Sequence, residues 1–222
     1  LNDQVWLHTD ERPPVLSHTI FNQLVRPQLG KYKNVLLIII DNLRYDHFKM
    51  IETLIKEDFR KVSEDYFFSI LPTTTQYSRN AIFSGLMPLE IDKKYPEKWF
   101  YDDENAGKNL HEEFFLNEQF KNNRVQLKTS YTKITNHRSG KELEDTILNL
   151  MNNDFNVIVY NFVDMLSHAR TEMEVLKELA SDEAAYRSLT LSWFDHSPLL
   201  NALQKLKEKK VRIVITSDHG TV

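Results

Sequence analysis

Val35-Leu36-Leu37-Ile38-Ile39-Ile40 runs straight into Asp41-Asn42. Six apolar, β-prone residues in an unbroken row do not alternate, so the run fits a parallel strand buried on both faces. Two more such runs occur, Val157-Ile158-Val159-Tyr160-Asn161-Phe162-Val163 and Val211-Arg212-Ile213-Val214-Ile215-Thr216. A shorter one, Tyr66-Phe67-Phe68-Ser69-Ile70-Leu71, stops at Pro72. Helical patterns lie between them, at residues 45–55, 76–86, 110–120, 140–151, 172–185 and 198–209. Strands alternating with helices imply an α/β fold, a parallel sheet sandwiched by helices on both faces. Residues 87–107 are polar and aromatic without clear period and read as an excursion from the sheet. Residues 1–33 read as a lead-in with one helix near 17–25, Ser17 suiting its N-cap, and with Pro13, Pro14 and Pro27 as breakers. The domain proper is then residues 34–222.

Composition bounds the chemistry. A chain of 222 residues is long enough for one such domain. Its formal net charge of -4 argues against wholesale nucleic-acid binding through a basic surface. There is no Cys, which excludes disulfides, thiolate zinc sites and cysteine nucleophiles. Any metal must be held by Asp, Glu, His or hydroxyl groups. No apolar run approaches the roughly 20 residues that span a bilayer, and no signal peptide is visible, so the expectation is a cytoplasmic protein. The chain opens without Met and stops just after a strand, which reads as a fragment.

Each of the three strongest strand runs ends in acidic chemistry. The first reaches Asp41, the second Asp164 with His168 beyond it, and the third Asp218-His219-Gly220. In open α/β sheets ligands bind outside the carboxyl ends of the strands, so these groups should converge on one edge. One strand-end Asp reads most simply as a turn former. Three, two of them with a His nearby, point to a shared site. Asp164 and His168 are four apart and share a face if the segment is helical. Oxygen plus imidazole without sulfur suits zinc, manganese or iron. Leu71-Pro72-Thr73-Thr74-Thr75 precedes a helical pattern, which puts one threonine at a helix N-terminus. The plain reading of that residue is an N-cap. The chemical one is a hydroxyl made nucleophilic by a bound metal, at a helix end suited to phosphate.

Taken together, residues 40–46 (IDNLRYD), 71–85 (LPTTTQYSRNAIFSG), 161–168 (NFVDMLSH) and 217–221 (SDHGT) resemble PglZ domains, a branch of the alkaline phosphatase superfamily. The likeness is greatest to the effector domain of PorX-type response regulators, linked to type IX secretion. Residues 10–27 and 192–199 (SWFDHSPL) look like that group as well. The resemblance implies an alkaline phosphatase-like fold and a phosphodiesterase or phosphatase with two divalent metal ions, zinc or manganese. It implies Thr75 as nucleophile and metal ligand, since Thr75 lies ten residues before Gly85 as in related phosphodiesterases. Asp41, Asp218 and His219 would complete one metal site, and Asp164 and His168 would hold the second, whose final His is expected beyond Val222. Arg79, Asn80 and Arg44 would bind phosphate oxygens. The substrates implied are nucleotide-type or oligonucleotide phosphodiesters. The implied partners are an upstream receiver domain and a sigma factor or sensor kinase, with room for a homodimer and no role for a membrane. The alternative is a signalling module that binds a partner protein or nucleotide with little turnover. A mutase would need a Ser nucleophile and a cap domain, and a sulfatase a Cys or Ser converted to formylglycine, so Thr75 favours the phosphodiesterase branch.

Overall fold

The computed structural model describes residues 14–100 and 109–220. Among them the strands are β1 (Val35–Ile40), β2 (Thr129–Ile134), β3 (Phe155–Tyr160) and β4 (Arg212–Thr216). All pair in parallel, in the order β2-β3-β1-β4. The helices are α1 (Tyr45–Ile55), α2 (Thr75–Ser84), α3 (Pro88–Lys94), α4 (Glu112–Asn122), α5 (His137–Thr146), α6 (Phe162–Glu172), α7 (Glu174–Leu179), α8 (Glu183–Asp195) and α9 (Pro198–Lys205). The expected α/β sandwich is present.

β1 is central because its side chains are apolar on both faces of the pleat. Val35, Leu37 and Ile39 pack with Phe83 of α2 and Phe115 of α4. Leu36, Ile38 and Ile40 pack with Phe194 of α8 and Leu199 and Leu203 of α9. Each of the six is at most 2% exposed, and burying such a side chain is worth roughly 1.5–3 kcal/mol. Before β1, a turn of π-helix (Phe21–Val25) seats Phe21 and Val25 on the α2/α4 face.

Several expectations need correction. Residues 66–71 form no strand; they make a single bridge, Leu16 to Phe68, and Tyr66, Phe68 and Leu71 stay exposed. The run is apolar, but it crosses the surface instead of joining the sheet. The run at 211–216 is not buried on both faces. Every residue of β4 is half-buried, because β4 is an edge strand among the described residues. The other edge, β2, has the sequence TSYTKI, whose mixed polarity hid it. The helix expected at 172–185 is broken into the end of α6, α7 and the start of α8, where the Asp182 carboxylate accepts from Ala185 N at 2.7 Å. Ser17 is not an N-cap. It is fully buried, and its hydroxyl accepts from Ile70 N at 3.1 Å. The excursion at 87–107 contains α3, and its residues 101–107 lie outside the described ones, as do residues 1–13 of the lead-in with Pro13, and Thr221 and Val222.

Candidate active site

β1 delivers Asp41 to the carboxyl edge of the sheet, where its amide still pairs with Tyr160 O at 2.9 Å. The chain then reverses at Asn42, whose φ of 60° lies in the left-handed region that Asn tolerates better than most residues. That reversal aims the Asn42 amide at Asp218 Oδ1, 3.1 Å away. His219 N donates to the same oxygen at 2.9 Å. Ser217 ties the strand ends together, its hydroxyl accepting from Leu43 N at 3.0 Å and donating to His219 O. Gly220 packs closely here: a Cβ would stand 3.2 Å from Arg44 Cγ, so a side chain would fit only if Arg44 shifted by a few tenths of an ångström.

Thr75 is the first residue of α2, and Thr74 is its N-cap without a side-chain capping bond. The Thr75 hydroxyl therefore does not cap the helix. It donates to Asp41 Oδ1 at 3.2 Å and lies 2.9 Å from His219 Nε2. Arg79, one helical turn on, points the same way. It is 1% exposed and donates to Asp41 Oδ2 at 2.9 Å and to Glu112 Oε1 at 2.5 Å. Burial works against its charge, but Glu112, Asp218 and Asp41 outweigh it and raise its pKa. Asp218 is fully buried, and burial followed by the neighbouring Asp41 carboxylate pushes its carboxyl up to about 8.

Asp164 lies beside this cluster on α6, accepting from Asn42 Nδ2 at 3.4 Å. Burial and then the Asp41 charge raise its pKa. His168, one turn further along α6, holds its Nε2 3.6 Å from Asp164 Oδ2 and is largely exposed. Asn80 is buried on α2. Arg44 lines a cleft of about 520 Å³ with Asp46, Ser69, Ser217 and His219, its guanidinium paired with Asp46 and Glu183. Thus Asp41, Thr75, Asp218 and His219 meet, Asp164 adjoins them, His168 is at the rim, and Arg79 lies beneath. Glu112 was not singled out in the sequence; it follows no motif and joins the site from 33 residues beyond Arg79.

From residue 20 to residue 222 the chain matches the family model described as the BREX system PglZ alkaline phosphatase-like domain. The chain belongs to the PglZ family. No curated protein matches it. The PglZ match and the parallel sheet agree on a phosphoesterase-type fold.

The donor set of this PglZ domain fits a divalent cation. Asp41, Asp218 and His219 each offer a ligand atom, all within 4.8 Å of one another. Donors around a tetrahedral zinc with bonds of about 2.0–2.1 Å stand roughly 3.3 Å apart. Here Thr75 Oγ1 is 3.2 Å from Asp41 Oδ1 and 2.9 Å from His219 Nε2, which is 3.6 Å from Asp41 Oδ1 and 4.0 Å from Asp218 Oδ1. Asp218 Oδ2 is buried without a hydrogen bond, 3.6 Å from Arg79 Nη1. In the ionised form that oxygen is costly to bury, so Asp218 stays protonated without a further cation, and a divalent ion beside it would favour the carboxylate. Among the described residues, no helix is long and apolar enough to cross a membrane.

Proposed function

We propose that this PglZ domain is a metal-dependent phosphodiesterase or phosphatase with Thr75 as nucleophile. One observation carries the reading: the Thr75 hydroxyl, at the start of α2, is bound to Asp41 and His219 and not spent on capping. Asp41, Asp218, His219 and Thr75 would hold one divalent ion, zinc or manganese, and Asp164 and His168 part of a second site. An ion there supplies Lewis acidity, which lowers the pKa of the hydroxyl beside it and stabilises charge on phosphate oxygens.

The remaining steps fall to the chain's own groups. The first-turn N–H groups of α2 have no intrahelical partners and face the phosphate at the helix N-terminus. Thr75 Oγ attacks phosphorus as its proton passes to solvent, the bond from phosphorus to the ester oxygen breaks in line, and the leaving oxygen departs as the alcohol after taking a proton from water. Water then cleaves the phosphothreonine and restores the hydroxyl. Nucleotide-type diesters are the favoured substrates, by the PorX-type resemblance. By the same resemblance the chain is the cytoplasmic output domain of a two-component response regulator, with an upstream receiver domain, a sigma factor or sensor kinase as partner, and a homodimeric form. Residues 34–222 form the catalytic domain and residues 1–33 lead into it.

A second reading is a module that binds a nucleotide or protein with little turnover. Favouring it, both arginines near the cleft are engaged by carboxylates, Arg79 by Asp41 and Glu112 and Arg44 by Asp46 and Glu183. Hydrolysis of bis-(p-nitrophenyl) phosphate with added zinc or manganese separates the two. Activity lost in Thr75→Ala supports the diesterase. Equal rates in Thr75→Ala and the parent would sink the threonine mechanism.

A further inference from the structure

Glu112 is 1% exposed in the first turn of α4, an unusual place for a carboxylate unless it is paired. Its Oε1 accepts from Arg79 Nε at 2.5 Å. Its Oε2 accepts from the Tyr131 hydroxyl and stands 3.2 Å from Lys133 Nζ, both on β2. Burial and the Glu112 charge raise the pKa of that tyrosine, so it stays a donor. Glu112 is thus fixed from the edge strand, and it fixes Arg79 in turn.

Arg79 spends Nη1 on Asp41 Oδ2 at 2.9 Å and on Asn161 Oδ1 at 3.4 Å. The same nitrogen is 3.6 Å from Asp218 Oδ2. Turning this guanidinium toward a phosphate would leave Glu112 and Asp41 buried without their partner. Asp41 divides its two oxygens: Oδ1 faces Thr75 and His219, and Oδ2 faces Arg79. A carboxylate that ligates a metal is oriented by the bond its other oxygen makes. A guanidinium next to a dication also repels it unless nearby anions offset the charge, and Glu112, which Arg79 shares with Lys133, supplies part of that offset.

We propose that Arg79, locked by Glu112, is a positioning residue that sets Asp41 and Asp218 for a divalent cation, and is not a ligand for the substrate phosphate. This rests on the metal-site reading given under Proposed function.

The test is calorimetric titration of zinc into the metal-free parent and into Asp41→Asn, Glu112→Gln and Arg79→Lys. Steady-state kinetics on bis-(p-nitrophenyl) phosphate at saturating zinc and the visible spectra of the cobalt-loaded proteins accompany it. Glu112→Gln and Arg79→Lys are expected to bind zinc about 10–100-fold more weakly, the range for residues that orient metal ligands. Their cobalt bands should shift and their KM should not. Parent-like zinc affinity in Glu112→Gln, with binding lost in Asp41→Asn, overturns the positioning role and leaves the metal site standing. A raised KM in Arg79→Lys with unchanged zinc affinity makes Arg79 a phosphate ligand and also overturns it. Equal zinc binding by the parent and Asp41→Asn sinks the metal reading itself. If either buried variant fails to fold, Tyr131→Phe carries the test. It removes one bond to Glu112, should weaken zinc binding to a smaller degree, and overturns the inference if affinity is unchanged.

Discussion

Asp218→Asn is expected to stabilise the metal-free protein while removing its affinity for a cation. The carboxyl is fully buried, and burial and Asp41 push its pKa from 3.8 up to about 8. The sign follows from linkage. Between those values the unfolded chain ionises this group while the folded chain keeps it protonated, so stability falls as pH rises through the window and is level above it. At pH 7 the loss is at most about 4 kcal/mol, and about 2 kcal/mol after local relaxation and water entry. Asparagine avoids it. Its oxygen still accepts from Asn42 N and His219 N, and its amide nitrogen occupies the place of Oδ2, which has no hydrogen bond. In a domain of this size about 2 kcal/mol corresponds to a rise in Tm of about 4–8 °C. Circular-dichroism melts in EDTA at pH 8 and at pH 4 measure it. The gain should be large at pH 8 and nearly absent at pH 4. Added zinc should then raise the parent's Tm, by about 2.7 kcal/mol of stability at 100 times Kd, and leave the variant's unchanged. A variant that melts below the parent in EDTA at pH 8, or a gain that does not change with pH, would refute the reasoning.

Three further outcomes follow from the packing and charges. Gly85→Ala forces a side chain to φ 68° and places Cβ 2.3 Å from Gln119 Nε2, so denaturant unfolding should show a loss of about 1–2 kcal/mol or more. Phe194→Ala empties a site that is 1% exposed under β1 and β3 and should cost about 3–5 kcal/mol by the same assay. Burial opposes ionisation of Glu52, but Lys49, Lys61 and Lys56 outweigh it and bring its pKa down to about 2 from 4.5. A depressed carboxylate stabilises fully above its unfolded value and loses that effect as pH falls toward about 2. Glu52→Gln should therefore cost about 1–2 kcal/mol at pH 7, discounted for the partly exposed lysines, and nothing near pH 2 in an acid-unfolding titration.

The sheet was legible where burial is two-sided. β1 read as an unbroken apolar run, and β3 was found from Val157 on although its own bounds are Phe155–Tyr160, because both faces are covered by helices. β2 escaped notice because an edge strand keeps Thr and Lys, and residues 66–71 misled because an apolar run can lie on the surface. α6 was not among the expected helices: the run 157–163 was read as strand up to Asp164, but β3 stops at Tyr160 and Asp164 lies in the first turn of α6. The cap at Asp182 was overlooked, so the end of α6, α7 and the start of α8 were read as one helix. The meeting of Asp41, Asp218 and His219 followed from strand ends in a parallel sheet. Thr75 as a site residue was suggested by motif and then separated from capping by geometry. Glu112 was illegible, because its contact with Arg79 is tertiary and neither residue alone carries a spacing signal.

The most direct test of the central claim is anomalous diffraction from crystals of the metal-free protein soaked in zinc. The account predicts a peak about 2.0–2.2 Å from oxygens of Asp41, Asp218 and Thr75 and from His219 Nε2, with Arg79 still on Glu112. A zinc peak elsewhere with these four side chains unmoved, or no peak at concentrations that support phosphodiester hydrolysis, would contradict it.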